Sequence, residues 1–167
     1  MLARGGVALD DLDLFRIDTN YHSTEEWQKA IHIVFLHHPI IDPDPSIWDV
    51  TMKLDGCEDI AKILKRAGVD LVLSGHYHYE YHADSDAYQP NHVIAGSATQ
   101  LFSDNRNFLL FDIFDDKIIM RDFVYDKGWC QFVYNEKNHH IFDIRKYESH
   151  HNVPGEDEFD IDNYFVR

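Results

Sequence analysis

The chain has 167 residues, of which 44% are hydrophobic and 14% aromatic, enough for one domain with a substantial core. Its formal net charge is −15, from 30 acidic and 15 basic residues, which argues against direct binding of nucleic acid through a basic surface. Two cysteines are too few for a disulfide framework or a thiolate metal site, and no continuous apolar segment follows the amino terminus. We therefore predict a cytoplasmic protein without a signal peptide or membrane anchor.

The first elements along the chain are a strand and a short helix. Apolar and polar residues alternate over Leu12–Asp18, which predicts a strand. Ser23 stands three residues before Glu26, a capping-box spacing that predicts a helix through about Ala30, with Trp27 as its buried contact.

The next three elements form a predicted βαβ unit. Ile31–Leu36 is almost continuously hydrophobic, as in a central strand covered on both faces. A helix over Asp55–Ala67 places Ile60, Ile63, Leu64 and Ala67 on one face, and Gly68 stands where a helix-ending glycine belongs. Val69–Leu73 is the second strand, and the helical crossover makes the two strands parallel.

The second half of the chain predicts strands alone. After a polar loop over residues 84–91, strands are predicted at His92–Ala95, Asn107–Phe114, Lys117–Tyr125 and Trp129–Tyr134. Asp115 and Asp116 form a tight turn between two of them. The segment GEDEFDID near the carboxyl terminus predicts a solvated acidic tail.

Histidines follow both strands of the βαβ unit. His37 and His38 come after the first strand, and His76 and His78 after the second. The carboxyl ends of parallel strands border one crevice, and residues two apart in an extended segment share a side, so His76 and His78 point together while Tyr77 points away. Imidazole is a common ligand of divalent transition metals, so the pattern predicts a metal site.

Composition offers an alternative explanation, because the chain has 12 histidines. Six are interpreted as surface or core residues without a ligand: His32, His92, His139, His140, His150 and His151. His82 lies further along the chain than the crevice requires. Two clusters at equivalent strand ends favour metal binding by His37, His76 and His78.

These motifs carry a resemblance to a known family. FLHHP at Phe35–Pro39, followed by SGHYH at Ser74–His78, resembles the carboxy-terminal half of a calcineurin-like metallophosphoesterase. RIDTN at Arg16–Asn20 and IAGSATQ at Ile94–Gln100 resemble stretches of the branch that contains class III cyclic nucleotide phosphodiesterases.

The resemblance implies a fold and a site. The fold is α/β, part of a four-layer α-β-β-α sandwich in which a βαβ unit is followed by antiparallel strands. It implies two divalent metal ions among Mn, Fe, Zn, Ni and Mg, with His37 and His76 as ligands of one and His78 of the other. His38 would support these ligands from behind or line the pocket, with direct metal ligation as the less favoured alternative. Such a pair of ions clamps a phosphoester substrate and activates the attacking water. The phosphoesterase portion is predicted to span residues 1–154 and the acidic tail residues 155–167.

The family's amino-terminal ligand blocks, D-x-H, G-D-x-x-D and G-N-H, do not occur in this sequence. We therefore predict a metal-dependent hydrolase of phosphomonoesters or phosphodiesters that is incomplete as a single chain. A second chain or another copy would complete the sheet and the site. The alternative is a non-catalytic binding or scaffolding module that keeps the sheet and a partial metal site.

Overall fold

The computed structural model describes residues 5–6, 24–41, 54–99 and 106–144. Two helices and nine strands occur in these ranges: β1 (Gly5–Gly6), α1 (Glu25–Lys29), β2 (Ile33–Phe35), β3 (Leu54–Asp55), α2 (Cys57–Arg66), β4 (Leu71–His78), β5 (Tyr81–Ala83), β6 (Asn91–Gly96), β7 (Asn107–Ile113), β8 (Lys117–Asp126) and β9 (Gln131–Asp143). The strand predicted at Leu12–Asp18 and the predicted acidic tail lie outside the described residues. Neither α1 nor α2 is long and apolar enough to cross a membrane.

The first sheet contains the predicted βαβ unit. Its strand order is β2-β4-β6-β5, with β2, β4 and β6 parallel and β5 antiparallel to β6. Ile33 lies opposite Leu71, and Phe35 lies opposite Leu73. The predicted parallel pairing of the two histidine-bearing strands is therefore confirmed.

Helix α2 packs on one face of this sheet. Cys57, Ile60, Ala61 and Leu64 are buried at the spacing of a single helical face, whereas Ile63, which was predicted to share that face, is only half-buried. The predicted glycine follows the end of the helix: Gly68 has a φ of 78°, and the amide of Val69 donates to the carbonyl of Leu64. This left-handed position favours glycine because it lacks a Cβ atom.

The second sheet is an antiparallel meander of β7, β8 and β9. The predicted turn at Asp115 and Asp116 joins β7 to β8, where the amide of Phe114 donates to the carbonyl of Lys117 at 2.9 Å. Strand β9 continues to Asp143, well beyond the predicted end at Tyr134, because it pairs along the whole of β8.

Two hydrophobic clusters define three layers. One cluster joins α2 to the first sheet, for example through Leu64 and Val72. The other lies between the two sheets, where Leu71 and Val93 pack with Met120 and Phe142. The fold class predicted from the sequence is thus confirmed: a βαβ unit is followed by antiparallel strands, with two sheets face to face.

The outer face of the second sheet carries aromatic side chains. The ring of Phe108 stacks on that of Phe123 at 4.9 Å, and Phe132 and Tyr134 lie beside this pair. Phe108 is 39% exposed and Tyr134 is 41% exposed. No helix within the described residues covers this face, which is where the fourth layer of an α-β-β-α sandwich would lie.

Three local predictions differ from the structure. The cap of α1 is Thr24 rather than Ser23, because the Thr24 hydroxyl accepts the amide hydrogen of Trp27 at 3.2 Å. In the described part of the chain β2 is an edge strand, with Phe35 75% exposed, rather than a central one. Strand β5 was not predicted, since its three residues follow the histidine motif too closely to show a pattern of their own.

A candidate metal centre

The strand ladder holds His37 beside the glycine of the SGHYH motif. The amide of Leu36 donates to the carbonyl of Leu73 at 2.9 Å, and the amide of Gly75 donates to the carbonyl of His37 at 3.1 Å. These bonds extend the β2–β4 pairing past the end of β2. The two histidine clusters therefore meet at one edge of the sheet, as the sequence predicted.

Three histidines converge there. The ligand atoms of His37, His38 and His76 all lie within 4.8 Å of one another. Nδ1 of His76 is 3.1 Å from Nε2 of His37, and the rings of His38 and His76 have centroids 4.3 Å apart. His38, which was expected to support the ligands or line the pocket, thus belongs to the group itself.

His78 lies outside this group of three. The backbone of β4 is irregular between Ser74 and His78, where the register with β6 shifts, and both His76 and His78 have positive φ, 72° and 60°. Such values are uncommon for residues other than glycine and re-aim the side chains of a strand. Tyr77 is buried, His76 is half-buried and His78 is exposed. The role of His78 as a ligand stays a prediction.

The electrostatic environment favours the neutral form of His76. Partial burial lowers the pKa of His76, and the neighbouring His38, His37 and His78 lower it further. Nε2 of His38 is buried without a hydrogen-bond partner. A buried polar atom without a partner is costly, and a metal ion would satisfy it.

The residues present therefore fit one metal ion held by imidazole nitrogens. No aspartate or glutamate of the described ranges belongs to the group. Two cations a few ångströms apart repel each other strongly unless a carboxylate lies between them. This group of histidines accordingly provides for one ion, and the described residues around it do not supply the bridge that a two-metal centre requires.

A cavity of about 500 Å³ begins next to His37. It lies between the sheets, on the side of the edge strands β2 and β7, and its walls include Phe35, Leu73, Val93 and Leu109. The cavity is within the usual size range of ligand sites, and its walls are mainly apolar. An organic group bound there would lie beside the histidines.

Other polar residues lie elsewhere between the layers. His32 stacks on Trp27 with ring centroids 3.7 Å apart, and His92 is fully buried with its Nε2 2.7 Å from the Ser74 hydroxyl. These two fit the core role inferred from the sequence. His82 and His140, by contrast, meet across the two sheets with ring centroids 4.3 Å apart, which sequence spacing alone did not indicate.

Fold and site together define an α/β protein with a histidine cluster at the carboxyl ends of parallel strands. Residues 1–80 match the model of the calcineurin-like phosphoesterase family. That match includes β2, β4 and the three clustered histidines, and it covers slightly less than half of the chain. A comparison with curated protein sequences found no match.

Solved structures with a similar arrangement include forms of Vps29. A single mutant of Vps29 from Entamoeba histolytica is 18% identical with a TM-score of 0.38, and the match covers 60% of this chain and 53% of that one. Vacuolar Protein Sorting 29 from Cryptosporidium parvum is 16% identical with a TM-score of 0.42, covering 65% and 50%. Wild-type Vps29 from Entamoeba histolytica complexed with Zn²⁺ is 20% identical with a TM-score of 0.36, covering 52% and 46%. This chain spans about half the length of these proteins.

Proposed function

We propose that this chain is part of a metal-dependent phosphoester hydrolase of the calcineurin-like kind, in the branch that resembles class III cyclic nucleotide phosphodiesterases. The observation that carries the proposal is the convergence of His37, His38 and His76 at the ends of β2 and β4. The family match over residues 1–80 supports the same reaction class.

Each histidine has a proposed role. His37 and His76 hold one divalent ion together, because their nitrogens lie 3.1 Å apart across the two strands. His38 binds the same ion through its buried Nε2. His78 is proposed to bind a second ion, whose other ligands are not among the described residues. When bound, the ions polarise the phosphoester and supply hydroxide at neutral pH. The cavity beside His37 receives the organic part of the substrate.

We also propose that a second chain or another copy of this chain completes the first sheet and the metal centre. Residues 1–154 are proposed to form the carboxy-terminal portion of the phosphoesterase domain, followed by the acidic tail. The carboxylates of the centre are proposed to come from a second chain or another copy. Among the described residues β2 has a partner strand on one side only, and its other side, with Phe35 75% exposed, is where added strands would continue the first sheet.

Metal binding is the first test. Manganese and zinc should bind the purified chain in calorimetry, and metal analysis should find a transition metal. H76A and H38A should each weaken binding by at least about tenfold, because each removes a nitrogen donor. H139A removes an exposed histidine of β9 and is the matched control. A chain that binds no metal, or an H76A variant that binds as H139A does, would refute the proposal. Comparison of H38A with H78A decides which of the two is the third ligand.

Hydrolysis is the second test. We expect little turnover of bis-p-nitrophenyl phosphate by the chain alone and manganese-dependent turnover once a chain with the missing blocks is added. H76A in the mixture should abolish the activity. Light scattering should show an assembly larger than one chain, and monomeric behaviour at high concentration would count against completion by another copy.

A non-catalytic binding module is the second candidate. The group of three histidines lacks a carboxylate within the described residues, and aromatic side chains of the second sheet are exposed. This candidate predicts that metal binds and that no partner restores turnover. Substitution of Phe108 and Tyr134 by serine would then impair partner binding without changing metal affinity.

A further inference from the structure

A second group of histidines and carboxylates lies between the two sheets, away from His37 and His76. His82 of β5 and His140 of β9 have ring centroids 4.3 Å apart, with planes inclined by 36°. Nε2 of His140 lies 2.7 Å from Oδ1 of Asp84. Nδ1 of His82 lies 3.9 Å from Oε1 of Glu80. Carboxylate, imidazole, imidazole and carboxylate thus follow one another in a continuous chain of contacts.

The spacing of three of these residues explains why they meet. Glu80, His82 and Asp84 occupy alternate positions along and beside β5, and alternate residues of a strand project from the same face. His140 stands on β9 two residues before the fully buried Phe142, so it faces the first sheet from the other side. The motif E-x-H-x-D on one sheet is therefore met by a single histidine on the other.

We propose that His82, His140 and Asp84 form a second binding site for a transition-metal ion, Zn²⁺ or Ni²⁺, that links the two sheets. Two imidazoles and a carboxylate are a common ligand set for these ions. Glu80 is the positioning residue, because its Oε1 is near Nδ1 of His82 while its Oε2 accepts a hydrogen bond from Asn138. Metal-bound histidines usually have such a carboxylate beside the second ring nitrogen.

The side chains must move to take up an ion, because the ligand atoms of His82, His140 and Asp84 are not gathered as those of His37, His38 and His76 are. Two donor atoms on one tetrahedral zinc ion lie about 3.3 Å apart, so the contact of 2.7 Å between His140 and Asp84 must widen by about half an ångström. Asp84 has 68% of its side chain exposed and is free to make that movement. The side chains of His82 and His140 are 32% and 25% exposed, which leaves an entry path for the ion.

Zinc titration of the full chain and four variants of it tests the site. Calorimetry should show one zinc ion fewer for H82A/H140A than for wild type. The variant H37A/H76A, which lacks the first cluster, should retain one zinc ion, and zinc should raise its thermal unfolding temperature because the ion joins two sheets. H139A is the matched control for H140A, since it removes the neighbouring exposed histidine of the same strand.

The outcomes are distinct. We expect H140A to weaken the second zinc affinity by at least about tenfold and H139A to leave it unchanged. Equal zinc binding by H140A and H139A, or loss of all zinc binding in H37A/H76A with its fold intact, would overturn the proposal. If H37A/H76A does not fold, the comparison of wild type, H82A/H140A and H139A decides alone: an unchanged stoichiometry in H82A/H140A refutes the site.

Discussion

His92 should make the protein sensitive to acid. It is fully buried on β6, and Nε2 of its ring lies 2.7 Å from the Ser74 hydroxyl. Burial lowers the pKa of His92 from 6.5 to about 4. The folded protein therefore holds a neutral imidazole over a pH range in which the unfolded chain binds a proton.

The direction and the magnitude of the pH effect on stability follow from this difference in proton binding. Between pH 6.5 and 4 the unfolded state binds more protons at this position, so the free energy of unfolding falls as the pH is lowered. A pKa displacement from 6.5 to about 4 corresponds to about 3 kcal/mol, fully present above pH 6.5 and lost as the pH falls towards 4. That is a large part of the stability of a typical domain.

The double variant S74A/H92L isolates this contribution. It removes the titrating ring and the hydroxyl that would otherwise lose its partner, a loss that costs about 1–3 kcal/mol on its own. Urea unfolding followed by tryptophan fluorescence at several pH values between 4 and 8 gives the free energy of unfolding of each form. The free energy of unfolding of the double variant, taken relative to that of wild type, should be about 3 kcal/mol higher at pH 4 than at pH 7.

A parallel pH dependence in the two proteins would refute the reasoning. H139A controls for the loss of an imidazole at an exposed position of β9. The single variant H92L should show the same relative gain in the free energy of unfolding towards low pH. Its free energy of unfolding should also be lower at every pH, by a constant amount, because the Ser74 hydroxyl has lost its partner. The difference between variant and wild type is the decisive quantity, because other groups titrate in both.

Three further predictions concern the sheets and their core. Burial raises the pKa of Glu80 to about 7, so its contribution to stability is complete below pH 4.5 and is lost as the pH rises through 7. E80Q should therefore be about 1–2 kcal/mol more stable than wild type at pH 8, after allowance for solvent screening. An equal difference in the free energy of unfolding at pH 4 and at pH 8 would contradict this. F142A should lower the free energy of unfolding by about 3–5 kcal/mol, because the ring is fully buried between the sheets, and a loss below about 1 kcal/mol in urea unfolding would contradict that packing. G96A should lower the free energy of unfolding by about 1–3 kcal/mol, since its Cβ atom would lie 1.7 Å from Oδ1 of the buried Asn107. G128A is the control: its Cβ atom would lie 3.2 Å from Oδ1 of Asp126, so its loss in urea unfolding should be smaller.

The meeting of the two histidine clusters was predictable because it depends on topology. A strand, a helix and a second strand in sequence dictate parallel pairing, and parallel strands end at the same edge. Helix α2 was predictable for a similar reason, since its apolar spacing and Gly68 are local signals. These features follow from the order of the elements along the chain and from local sequence signals.

The membership of the cluster was less predictable because it depends on backbone irregularity. The alternation assumed for His76 and His78 requires a regular strand, whereas β4 changes register after Ser74 and both histidines have positive φ. Gly75 within a strand pattern was the available signal, since such a glycine often marks a bulge. The pairing of His82 with His140 was beyond sequence reasoning, because it requires the packing of one sheet on the other.

The two sheets differ in how far apart along the chain their partners lie. The second sheet closes through consecutive hairpins, with Ile113 opposite Ile118, whereas the first sheet brings Ile33 to Leu71. Local contacts form with a smaller loss of chain entropy than distant ones, so the meander of β7, β8 and β9 should fold first. The side chains of His37 and His76 are then expected to come together after the meander has formed. Metal binding should accordingly slow the unfolding of the native protein and leave the rate at which the meander forms unchanged.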